Sequence, residues 1–214
     1  MSSLSDFRLG VDVRGNDGEK AGTLVSVLVD AEGFNPQALV VKDEVSLVAR
    51  LMADEKLFVT DEVVIPITSV ESATHDGVRL SMPAAEVRRQ PPYLSYRFEP
   101  RSGGEATLQE AGLLGGGLGL PKAEEIARKD PGQVEIENGE NVMLGTTGRR
   151  LGRVQELLLD NGTLVGIVIQ PDGFFKKDVV LPIKFVSRAD DLALFADLKE
   201  SDIENLKPFA EPSP

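Results

Sequence analysis

Apolar and polar residues alternate along this chain in short runs of strand length, and the runs occur twice in the same order. Each series opens with a short strand, Gly10 to Val13 and Val142 to Leu144, and passes through a glycine-bearing turn into a longer strand, Thr23 to Asp30 and Arg153 to Asp160. In those longer strands alternation gives way to an apolar run (Leu24, Val25, Val27, Leu28, Val29; Val154, Leu157, Leu158, Leu159), as in a strand that passes from one-sided to two-sided burial. Turns at Gly33-Phe34-Asn35-Pro36 and Asn161-Gly162 lead to a third strand. A near-repeated phrase, VVIPITSV at Val63 to Val70 and VVLPIKFV at Val179 to Val186, reads as a fourth, and Val78 to Ser81 and Ala193 to Ala196 as a fifth. A short helix is expected after each series; Ser201 and Glu204 have capping-box spacing, and Pro208 marks the stop.

The two series align residue by residue. Gly18, Gly22 and Asp30 meet Gly148, Gly152 and Asp160 at one offset; Ala38-Leu39-Val40-Val41 then lies on Gly166-Ile167-Val168-Ile169, and the repeated phrases follow at a third. The proline of the phrase has no N–H to donate, which places it at a strand end or an edge. Five short antiparallel strands with glycine turns leave edges that closure removes, so each copy is expected to form a small closed or nearly closed barrel. The expected fold class is mainly β, two tandem small antiparallel barrels, each closed by a short C-terminal helix and joined by a partly helical linker.

Charge and composition narrow the function. Thirty-five acidic against 23 basic residues leave a net charge of −12, which repels a phosphate backbone, and the densest basic spots (Arg149-Arg150 with Arg153; Lys176-Lys177) are diluted by acids and strand residues. Direct contact with nucleic acid or anionic lipid is not expected. No cysteine is present, which removes disulfides, thiolate nucleophiles and thiolate metal sites and suits the cytoplasm. No signal peptide and no membrane span is readable, so the expected location is cytoplasmic, peripheral to the inner membrane only through a protein partner.

Each copy resembles a PRC-barrel domain in its glycine turn before a strand ending in Asp (GEKAGTLVSVLVD, GRRLGRVQELLLD), its third apolar strand, its proline phrase and its close on Pro-aromatic. The second copy adds DGFFKKDVVLPI, similar to a Gly-Phe loop before the fourth strand in that family. The resemblance covers about residues 8–93 and 140–209, taken as two domains, with 94–139 as a Gly/Pro-rich linker. It implies a protein-binding module, as in the cytoplasmic part of the photosynthetic reaction-centre H subunit and the C-terminal half of the ribosome maturation factor RimM. The H subunit's transmembrane helix and the maturation factor's N-terminal domain have no counterpart in this sequence, so neither function carries over.

Within the linker, Thr107 and Glu110 suggest one short helix ending at Gly115-Gly116-Gly117, and Pro121 opens a second running to about Lys129. The run GGGLGLP lacks the entering strand and the Lys-Ser/Thr pair of a phosphate loop and reads as a hinge. His75, the single histidine, lies in ATHDG and reads as a surface turn; the acidic pairs Asp54-Glu55, Asp61-Glu62, Glu124-Glu125 and Asp190-Asp191 read as solvated turns. No catalytic elbow, metal-ligand spacing or cofactor motif is present, and no enzyme, metal or cofactor is expected.

The copies differ most between the third and fourth strands. The first inserts Lys42 to Glu62, carrying Val45, Leu47, Val48, Leu51, Met52, Leu57 and Phe58, where the second has a short loop with Phe174 and Phe175. So much apolar area requires cover, either by internal packing or by docking to a partner or a second copy. The reading is a non-enzymatic adaptor or assembly factor for a protein partner; the alternative is a cytoplasmic subunit or assembly aid of a membrane complex.

Overall fold

The computed structural model describes residues 3–4, 6–43, 62–98, 123–127, 129–172, 177–190, 192–203 and 205–210. The first copy contains β1 (Ser3–Leu4), β2 (Asp6–Arg8), β3 (Asp12–Arg14), β4 (Lys20–Asp30), β5 (Pro36–Lys42), β6 (Glu62–Pro66), β7 (Val70–Thr74), β8 (Gly77–Leu80) and a helical turn, α1 (Ala84–Val87). Between the copies lie β9 (Leu94–Phe98) and β10 (Ala123–Ala127). The second contains β11 (Gln133–Glu137), β12 (Asn141–Leu144), β13 (Arg150–Asp160), β14 (Thr163–Pro171), β15 (Val179–Pro182), β16 (Val186–Asp190), β17 (Ala193–Ala196), α2 (Glu200–Ile203) and β18 (Lys207–Pro208).

The repeat is real in hydrogen-bond register. Leu24 pairs with Val41 as Val154 pairs with Ile169, Leu28 with Ala38 as Leu158 with Gly166, and Ala38 with Pro66 as Gly166 with Pro182. Both long strands carry bulges at the same two places, Leu24/Ser26 with Leu28/Val29 and Val154/Glu156 with Leu158/Leu159. Both also carry a glycine where the neighbouring strand crosses closest. A Cβ on Gly22 would lie 2.3 Å from the Lys42 carbonyl oxygen and one on Gly152 2.2 Å from that of Gln170, so the matched glycines are required by sterics. The two-residue Asn161-Gly162 loop has positive φ at both positions (51° and 81°), as a tight right-twisted hairpin demands.

Several expectations are corrected. The hydrogen-bonded orders are β1-β7-β8-β3-β4-β5-β6 and β16-β17-β12-β13-β14-β15-β18; among the described residues the ends of each are not paired to each other, and no closed barrel is found there. The sheets are mixed, because β3 runs parallel to β8 and β12 parallel to β17. The repeated phrase is two strands joined by a 3-10 turn (Ile67–Ser69; Ile183–Phe185), with the proline ending the first strand and freeing the chain to turn. A single four-residue helical turn is described after β8 and after β17, shorter than the closing helix expected. The second begins at Glu200, so Ser201 lies inside it, and Asp202 Oδ2 accepts from the Lys199 N–H (3.2 Å). In the linker, Ala123–Ala127 is a strand paired with Leu94–Phe98 rather than a helix, and the stretch around Thr107 lies outside the described residues.

The copies exchange their leading strands. β2, which leads into the first copy, pairs antiparallel with β13 of the second (Phe7 with Leu157, Arg8 with Glu156). β11, which leads into the second, pairs antiparallel with β4 of the first (Ile136 with Val27, Glu137 with Ser26). Each then crosses at a glycine in the left-handed region, Gly10 (φ 87°) or Gly139 (φ 79°), and donates its amide to the long strand of its own copy: Gly10 to the Leu24 carbonyl (2.7 Å), Gly139 to that of Val154 (2.9 Å). Phe7 and Ile136, at matched positions, are both 0% exposed. They join one apolar cluster that runs from Val13, Leu24 and Ile65 to Val142, Val154 and Leu181. Two copies therefore share one core.

Candidate functional site

The strand exchange leaves two clefts, one beside each crossing, and the repeat relates them. The first, about 680 Å³, is lined by Ser26, Glu62, Tyr93, Glu135 and Glu137 with Gly10 and Asn138. The second, about 350 Å³, is lined by Arg8, Gln155, Glu156, Asp178 and Phe209, again with Gly10 and Asn138. Glu62 matches Asp178 and Tyr93 matches Phe209: Tyr93 N–H donates to the Glu62 carbonyl (2.8 Å) as Phe209 N–H donates to that of Asp178 (2.7 Å). Ser26 matches Glu156, and Glu137 matches Arg8. One backbone scaffold is thus furnished with two chemistries.

In the first cleft the Tyr93 hydroxyl and the Ser26 hydroxyl both donate to Glu135, one to each carboxylate oxygen. Ser26 is spent holding a carboxylate rather than primed as a nucleophile. Burial, followed by the charges of Glu135 and Glu62, pushes the Glu137 carboxyl up. Next to this cleft Glu140 is pushed up to about 8, first by burial and then by Glu137, Glu135 and Asp190, against the lowering pull of the Glu137 N–H. Its Oε2 accepts that N–H (3.0 Å), while its Oε1 is buried without a hydrogen-bond partner among the described residues. A neutral carboxyl at pH 7 follows from these contacts.

The second cleft compensates a buried charge across the two copies. Glu156 is 3% exposed, and both its oxygens lie 3.3 Å from His75 Nδ1. Arg8 Nη1 contacts His75 Nε2. A guanidinium only donates, so Nε2 accepts and the ring proton sits on Nδ1, aimed at Glu156. Arg8 and His75 belong to the first copy and Glu156 to the second, making the trio a polar fastening between them.

The expectation that His75 is a surface turn is therefore corrected: its side chain is 16% exposed and bridges the copies. Nothing local signals this, since its matched position in the second copy is Asp191 and its partners lie 67 and 81 residues away. Glu62, read as part of a solvated acidic turn, lines the first cleft. Val45, Leu47, Val48, Leu51, Met52, Leu57 and Phe58, with Phe174 and Phe175, lie outside the described residues. The described strands flanking the long insertion are hydrogen-bonded neighbours at its base, Lys42 opposite Glu62. No group of three or more His, Asp or Glu among the described residues is placed to hold a metal ion. None of the described helices is long and apolar enough to cross a membrane.

Comparison with known proteins bears on the second copy. No curated protein matches the chain. The family model described as the PRC-barrel domain matches residues 138–202, which begin at the Gly139 crossing and run into α2. Six strands of the first copy, β7-β8-β3-β4-β5-β6, have the order and pairing register of β16-β17-β12-β13-β14-β15 in the second. Residues 138–202 of the chain are thus a PRC-barrel domain.

Proposed function

We propose that the protein is a non-enzymatic, protein-binding adaptor or assembly factor in which two PRC-type units act as one rigid body. The observation that carries this reading is the reciprocal exchange of β2 and β11, which builds a shared core and fixes the geometry between two binding faces. A rigid spacing suits an adaptor, because partners held on it meet in a set orientation without an ordering cost at each encounter. The family match supports it, since PRC-barrel domains are interaction modules. The net charge of −12 and the carboxylates of the larger cleft favour a protein partner over nucleic acid.

The docking segment in this reading is the insertion with Val45, Leu47, Val48, Leu51, Met52, Leu57 and Phe58, joined by Phe174 and Phe175 of the matched loop. Replacing residues 42–62 by the second copy's 170–178 tests it. Cross-linking and affinity capture at native expression should recover a defined partner with the parent chain and lose it with the variant, the melting transition staying intact. Capture unchanged by the replacement, or a turnover assay that assigns the chain a reaction, overturns the reading.

A further inference from the structure

The copies differ at one sheet edge. In the first, β7 is covered on its outer side by β1, with Ser3 opposite Ser72 and Leu4 opposite Ala73 in parallel. Its counterpart β16 has β17 as its single hydrogen-bonded neighbour among the described residues. The cause lies in the exchange. Residues 133 and 134, which match 4 and 5, are not free to cover β16, because Gln133 and Val134 continue along β4 opposite Asp30 and Val29. Burial records the difference: Ala73 is 0% exposed, while Ala189 at the matched position is half-buried.

The open edge reads Val186-Ser187-Arg188-Ala189-Asp190. When two identical strands pair about a two-fold axis they run antiparallel, and with Ala189 on the axis Arg188 of each copy faces Asp190 of the other. Both side chains are exposed and both are pre-positioned. Arg188 lies over the Phe195 ring (3.9 Å to its centroid), and Asp190 Oδ1 accepts from Leu192 N (3.1 Å) and Ala193 N (3.2 Å), holding the carboxylate at the strand end. Ala189 is small enough for close approach. Leu192, 82% exposed in the turn beyond the strand, is brought towards the Val186 end of the partner strand.

We infer that the β16 edge is the interface with a second copy of this chain, an antiparallel β16–β16 pairing centred on Ala189 with reciprocal Arg188–Asp190 contacts. The pairing covers the edge that β1 covers in the first copy and supplies ladder partners to β16. So small an interface binds weakly, with a dissociation constant on the order of tens of micromolar, and the like net charge of the two copies calls for measurement near physiological salt.

The chain contains no cysteine, so a single introduced thiol reports the axis. In the proposed register the two 189 positions lie about 5 Å apart between Cα atoms, within disulfide reach, whereas the two 187 positions lie about 14 Å apart. Ala189→Cys should form an intermolecular disulfide under mild oxidation and Ser187→Cys should not. Arg188→Asp and Asp190→Arg should each weaken self-association in sedimentation at least about tenfold, and an equimolar mixture of the two should restore it as a heterodimer. The cysteine pair stands even if Asp190→Arg disturbs its turn. A parent chain that stays monomeric up to about 0.5 mM, equal cross-linking at 187 and 189, or a dimer indifferent to the charge reversals overturns the inference.

Discussion

Glu140→Gln isolates the one carboxyl that the fold holds far from its ordinary state. Burial, then Glu137, Glu135 and Asp190, raise Glu140 from 4.5 to about 8, while the unfolded chain ionises near 4.5. Between these values the folded state binds a proton that the unfolded state does not, so stability falls as pH rises across that window. Below about 4.5 the penalty is absent, and above about 8 it is complete. At about 1.36 kcal/mol per pH unit the interval corresponds to a ceiling of about 4.8 kcal/mol, which partial access to solvent reduces to about 1–3 kcal/mol. Glutamine keeps an oxygen to accept the Glu137 N–H and cannot ionise. Urea unfolding at pH 4 and at pH 8.5 should therefore give nearly equal stabilities for parent and variant at the lower pH and a variant more stable by about 1–3 kcal/mol at the higher. In thermal unfolding the same gain is about 3–9 °C for a chain of this size. Glu137 shifts in the same direction but is present in both proteins, so it cancels from the difference. A stability gap that is the same at both pH values would refute the reasoning. The matched position in the first copy holds Val11, half-buried against the core, so the same backbone site accepts an apolar side chain.

Three further outcomes follow from the strand exchange and from the close strand crossing at Gly152. Phe7→Ala should cost about 3–5 kcal/mol and Ile136→Ala about 2–5 kcal/mol in chemical unfolding, each with one cooperative transition, since each anchor sits in the other copy's sheet; two separated transitions would deny the shared core. Arg8→Met should destabilise by about 3 kcal/mol by removing a cation from the buried Glu156 trio, and adding Glu156→Met should recover most of it; no recovery would mean that Arg8 acts by packing alone. Gly152→Ala should cost at least about 2 kcal/mol because the added Cβ meets the Gln170 carbonyl, and Gly148→Ala, at φ 67° with open space around it, about 1 kcal/mol; equal effects in thermal unfolding would count against the close approach.

Periodicity and repetition determined a good deal of this protein without any coordinates. The two copies, their long strands ending at Asp30 and Asp160, the Asn-Gly hairpin and the proline at a strand end all follow from local patterns. Each reflects a constraint carried within a few residues: alternation for one-sided burial, glycine for positive φ or close approach, a missing N–H at proline. Which strand lies beside which was decided only in the tertiary structure. The DFR and QVEIE segments carry no mark of the copy they will pair with, because a backbone edge offers the same donors and acceptors to any extended segment and the choice is made by the shared core that Phe7 and Ile136 fill. The helix expected up to Lys129 yields to a strand at Ala123–Ala127, where pairing with Leu94–Phe98 overrides the helix propensity of an Ala- and Glu-rich segment. His75, Glu156 and Arg8 are equally silent in sequence. A turn histidine, a strand glutamate and a terminal arginine acquire a common role only when two exchanged strands bring them within hydrogen-bonding reach and remove the water that each would otherwise keep.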